Sequence, residues 1–241
     1  MKLYFRYFFL LVAIEIILLT FFELEIWLTI FISVMVFASS NFTHVLINAI
    51  RRNSLINKKR DPETYIKVML EIKDQKLSGY PNAIRDLELS VGYIALGDFE
   101  KARNILLSLE MNPFKKSATI MGMYYNHLMI CEIYLGHLDE ALDIFQRDIN
   151  PLDIKHNTVL EAIKTTKAEL LFHQGKYEEA KAIFLLYYDI SKHKASKLNS
   201  LFYLAKIDEM ENLKEEARIK YQKVAEEGNG LWFTKEALAK L

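Results

Sequence analysis

The stretch ALGDFEKARNIL, residues 95–106, stands in a chain of 241 residues that holds only eight glycines. Two later stretches follow its plan: YLGHLDEALDIF at 134–145 and FHQGKYEEAKAIF at 172–184. Aligning Ala102, Ala141, Ala180 and Ala217 gives spacings of 39, 39 and 37 residues. Five residues before each alanine stand Gly97, Gly136, Gly175 and Asn212, residue types that tolerate the positive φ that ends a helix. Three residues before it come Phe99, Leu138 and Tyr177; the fourth unit has Lys214 there, with Leu213 alongside. Four residues after it come Leu106, Phe145, Phe184 and Tyr221.

This spacing predicts a first helix ending at the glycine or asparagine and a second beginning with acids at its positive end. The small alanine lets two helices approach, and the large residue one turn on fills the next layer. One such pair cannot bury its own apolar face, so pairs stack. Scarce Gly and Pro beside abundant Leu, Ile, Lys and Glu agree with an all-α fold. RDPETY at 60–65 reads as a further helix start, with Asp61 as N-cap, Pro62 at the first helical position and apolar Tyr65, Val68, Met69 and Ile72 at helical spacing. At the C-terminus, residues 231–241 place Phe233, Ala237 and Leu241 on one face, as a capping helix would.

The units GDFEKARNIL, GHLDEALDIF and GKYEEAKAIF resemble the tetratricopeptide repeat over roughly residues 82–228. Tyr93, Ala168 and Ala205 match that family's first-helix positions. Met129 and Glu132 depart from it, and the period exceeds the family's 34. The resemblance implies a right-handed solenoid whose first helices line a concave groove for another protein or peptide. Carried over by position, the groove takes Ile84, Leu87, Val91 and Ile94 from the first unit and Asn126, Ile130 and Ile133 from the second. The third contributes Thr165, Glu169 and Phe172.

Residues 3–22 and 26–38 are apolar runs, interrupted in the first by Arg6 and Glu15. About 20 residues cross ~30 Å of hydrocarbon as a helix. The second run reaches that length on continuing to about residue 43. Lys2 and Arg6 precede the pair, while Arg51, Arg52, Lys58, Lys59 and Arg60 follow it. Positive flanks predict a transmembrane hairpin with both ends inside and the repeat domain in the cytoplasm; the resemblance, closest to bacterial membrane-anchored tetratricopeptide-repeat proteins, implies that the membrane is a bacterial cytoplasmic one. A single tilted span and a cleaved signal ending at VFA, 36–38, are the alternatives. The domain plan is then an anchor over 1–50, a basic segment and linker helix over 51–80, and the array over 81–241. Glu15 is a candidate intramembrane polar site, and the basic cluster a candidate lipid contact.

Net charge is zero, and beyond residue 60 the chain is slightly acidic, which argues against nucleic-acid binding. The lone Cys131 allows neither an intrachain disulfide nor a multi-cysteine zinc site. The six histidines form no HExxH, and no P-loop, GxGxxG or GxSxG occurs. The expectation is a membrane-tethered scaffold or assembly factor, with no enzyme activity, no cofactor and no small-molecule substrate. The alternative is an accessory subunit of a membrane enzyme or transporter that uses Glu15.

Overall fold

The structure, a computed structural model, describes Ala13, Ile14, Ile17 and residues 26–74 and 82–241. Every element among them is helical. Contacts divide the chain into two units, Met1–Arg52 and Asn53–Leu241.

In the first unit the described element is most of α1 (Ile26–Ser54), on which Trp27, Phe31 and Phe42 stand exposed. Among the described residues no helix is long and apolar enough to cross a membrane. The apolar run of α1 ends at Ala38. Ser39, Ser40, Asn41 and Thr43 follow, so the run falls short of the ~20 residues a span requires. Ser39 and Thr43 turn their hydroxyls back onto the carbonyls of Met35 and Ser39, at 2.7 and 2.8 Å. The expected transmembrane hairpin, and with it the placement as an integral membrane protein with a cytoplasmic array, is therefore corrected. Glu15 and the rest of residues 3–22, apart from Ala13, Ile14 and Ile17, lie outside the described residues.

The second unit opens with a π-helical turn, Leu55–Lys59, ended by Arg60 at φ 55°. Helix α2 (Pro62–Asp74) starts as its sequence requires, with the Thr64 N–H donating to Asp61 Oδ1 at 3.0 Å. It seats Tyr65 and Ile66 against Gly92 of α3 (Asn82–Leu96). A Cβ at Gly92 would stand 2.7 Å from Ile66 Cγ1, so only glycine permits this approach.

Four helix pairs follow. They are α3 with α4 (Phe99–Leu107), α5 (Ala118–Tyr134) with α6 (Leu138–Asp143), α7 (Asn157–His173) with α8 (Tyr177–Ile190), and α9 (Lys194–Met210) with α10 (Lys214–Gly228). The short α11 (Trp232–Leu238) closes the chain. The turn inside each pair has one geometry. Gly97, Gly136, Gly175 and Asn212 take φ of 90°, 85°, 77° and 61°. The next residue's N–H reaches back five residues, to Tyr93, Glu132, Leu171 and Asp208, at 2.8–2.9 Å. Paired with the bonds from Gly97, Gly136, Gly175 and Asn212 to Ile94, Ile133, Phe172 and Glu209, this is the Schellman cap.

Each aligned alanine sits at a helix–helix contact: Ala102, Ala141 and Ala180 are fully buried and Ala217 nearly so. Leu106, Phe184 and Tyr221 fill the layer one turn on. The second pair deviates. Its second helix widens into π-helical turns over Ile144–Ile149, and Phe145 is only half-buried. Of the three C-terminal residues expected on one face, Phe233 and Ala237 are buried, whereas Leu241 is exposed.

The last turn also meets the start of this unit. Gly230 N–H donates to the Arg60 carbonyl at 3.0 Å, and Asn229 Nδ2 to that of Lys59 at 2.8 Å. These bonds tie residues far apart in sequence, so the turn after α10 holds the segment that precedes α2.

Candidate functional site

The first helices of all four pairs line one cavity of about 220 Å³. Val91, Ile94 and Ala95 come from α3; Asn126, His127, Ile130 and Tyr134 from α5; Thr165, Thr166 and Glu169 from α7; Ser196 and Asn199 from α9. Trp232 and Phe233 of α11 complete the wall. No residue of α2 lines it, because α2 packs on α3 through Gly92 instead.

Six residues expected in the groove are brought together here: Val91, Ile94, Asn126, Ile130, Thr165 and Glu169. Leu87, Ile133 and Phe172 are instead core residues, exposed by only 2%, 2% and 6%. Ile84 is half-buried and outside the cavity. Thr165 turns its hydroxyl onto the carbonyls of Glu161 and Ala162, which leaves its methyl as wall. Of the basic cluster, Arg51, Lys58 and Lys59 are exposed, whereas Arg60 holds the left-handed turn that receives Gly230.

Four buried polar side chains line the cavity: Asn126, Thr165, Thr166 and Glu169. Asn126 is 3% exposed and its Oδ1 accepts no hydrogen bond. Glu169 is 5% exposed, and its two oxygens accept from Asn199 Nδ2 at 2.6 Å and from the Tyr134 hydroxyl at 2.9 Å. Tyr134 has a single proton, and giving it to the carboxylate makes Tyr203, 2.6 Å away, the donor to Tyr134. Burial pushes the Glu169 carboxyl up to about 7 against the pull of its two neutral donors. Burial also pushes His127 down to about 4, so its ring is neutral at pH 7.

Sequence reasoning missed Trp232 as a wall. Its ring meets Phe99 and Tyr134 edge-on, at 5.6 and 4.7 Å between centroids. A Cβ at Gly97 would stand 2.7 Å from the Trp232 Cβ. Only a contact over this sequence distance reveals that role, although an aromatic beside Phe233 in a short terminal helix was a signal.

Elsewhere, burial and the adjacent Glu132 charge push the Cys131 thiol up to about 12, which leaves no thiolate for nucleophilic chemistry. Glu132 itself, 1% exposed, is paired with Arg103 at 2.6 Å and His137 at 2.7 Å. Among the described residues no group of three or more His, Cys, Asp or Glu is placed to hold a metal ion. Comparison with family models, with curated proteins and with solved structures finds no match to this chain.

Proposed function

We propose that the stacked helix pairs form a tetratricopeptide-like interaction module, whose concave side receives a segment of another protein. The observation that carries this reading is the cavity, to which the first helices of all four pairs contribute. Its walls are apolar at Val91, Ile94 and Ile130, and it contains a buried amide at Asn126 without a hydrogen-bond acceptor role inside the chain. A buried polar group without a partner costs about 1–3 kcal/mol. The protein then acts as a scaffold or assembly factor, holding a client rather than transforming it.

A photo-crosslinking residue at Val91, with one at the exposed Glu100 of α4 as outer-face control, tests this. Capture of a discrete protein from Val91 and not from Glu100, diminished by Asn126→Leu, is the expected outcome. Equal capture from both positions, or crosslinks only within the chain, would place any partner elsewhere.

A further inference from the structure

We propose that the cavity is the anchoring pocket for one basic side chain, a lysine or arginine, of the bound partner segment. This rests on the groove reading above and names what the groove selects.

Glu169 brings a buried carboxyl group to the wall, and its oxygens have room for further hydrogen bonds. Asn126 Oδ1 is buried and accepts none. Each Glu169 oxygen accepts one bond from a neutral group, and a carboxylate oxygen has room for a second. Charge points the same way, since among the described residues no lysine or arginine lines the cavity. The groups facing Glu169 are Tyr134 from α5 and Asn199 and Tyr203 from α9, all neutral, with neutral His127 along the same wall. Lys206 stands further out, over the Phe172, Phe202 and Tyr203 rings and toward Glu236. A buried carboxylate without a counter-charge is costly, and an arriving cation relieves it. A carboxylate or phosphate ligand would meet the like charge of Glu169 and, among the described residues lining the cavity, no lysine or arginine.

Shape agrees with charge. At about 220 Å³ the space is smaller than the roughly 300–1,000 Å³ of typical small-molecule sites. Val91, Ile94 and Ile130 offer apolar wall to a methylene stem while its charged head reaches the polar end. Arginine or lysine on a protein segment satisfies both requirements at once.

The test selects peptides from a random linear display library on the full chain, then measures each against Val91→Arg, Glu169→Gln and Asn126→Leu. Peptides that lose binding to Val91→Arg are expected to share a lysine or arginine. Replacing that residue by norleucine should weaken binding about tenfold or more, the usual scale for a hydrogen bond to a charged group. Glu169→Gln should weaken the basic peptide similarly and the norleucine peptide hardly at all. Wild-type affinity for the basic peptide should rise from pH 6 to 8, and this rise should vanish in Glu169→Gln. Groove-dependent peptides indifferent to norleucine would overturn the basic anchor while leaving the groove reading intact. Selection of no peptide sensitive to Val91→Arg would overturn both. Circular dichroism checks that Glu169→Gln is folded; if it is not, the norleucine exchange, made on the peptide, still decides.

Discussion

Glu132 and Glu169 are both glutamates on first helices, both almost wholly buried, and they have been treated by the fold in opposite ways. Glu132 stands inside the packing of the second pair and is met by Arg103 at 2.6 Å and His137 at 2.7 Å. Glu169 stands at the wall of the cavity and is met only by an amide and a phenol. The difference separates a carboxylate met by an arginine and a histidine from one met by neutral donors. Natural proteins commonly give up stability at sites kept ready for a ligand.

The same isosteric exchange at the two positions should therefore have opposite signs. At Glu169 the folded pKa, about 7, lies above the usual 4.5, so the folded state binds more protons between those values. Stability then falls as pH rises through that window and is level above it. At about 1.4 kcal/mol per pKa unit, Glu169→Gln should be more stable than wild type by up to about 3 kcal/mol at pH 8, and by little at pH 4.5. Urea unfolding at the two pH values measures this, and a Gln variant less stable at pH 8 would break the comparison. Glu132→Gln removes the charge that Arg103 and His137 meet, and should cost about 2 kcal/mol in the same assay. A smaller loss would show that Arg103, a third exposed, finds water instead.

Two smaller effects set the scale for these. Asp98 caps α4 by accepting the Lys101 N–H at 3.1 Å, so Asp98→Ala should lower stability by about 1 kcal/mol. The equivalent His137, Lys176 and Leu213 make no side-chain cap, and alanine at Lys176 should be nearly silent. Lys181 and Glu211 form an ion pair at 2.6 Å with both partners more than a quarter exposed. Screening by solvent limits Lys181→Ala to less than about 1 kcal/mol, a loss that should shrink with added salt.

The repeat architecture was legible because its signals are local. Positive φ at Gly97, Gly136, Gly175 and Asn212 is a backbone demand that few residue types meet, and the buried alanines mark where helices touch. The residues that line the cavity were legible only in part. Leu87, Ile133 and Phe172 lie on the same helices as Val91, Ile130 and Glu169, but they are buried in the core and do not line the cavity. Helical spacing alone does not say which of two adjoining apolar rows faces which neighbour. The π-helical turns at Ile144–Ile149 carry no simple sequence mark, although Met129, a bulky residue at a position for small ones, lies fully buried in the same pair. The membrane hairpin failed for a different reason. The apolar run in α1 gives way after Ala38 to Ser39, Ser40 and Asn41, and among the described residues no helix is apolar over the length required. The role of Trp232 depends on the chain's return to Gly97, which only the folded array creates.

The most direct test of the account is the ionisation of Glu169 itself, followed by the carboxyl carbon resonance of the full chain through a pH titration. The account predicts a midpoint near 7 in the free protein, moving down when a lysine-bearing groove peptide is bound. A midpoint near the ordinary 4.5 with no peptide present would mean that the carboxylate already has its compensation, and that the cavity is not waiting for a cation.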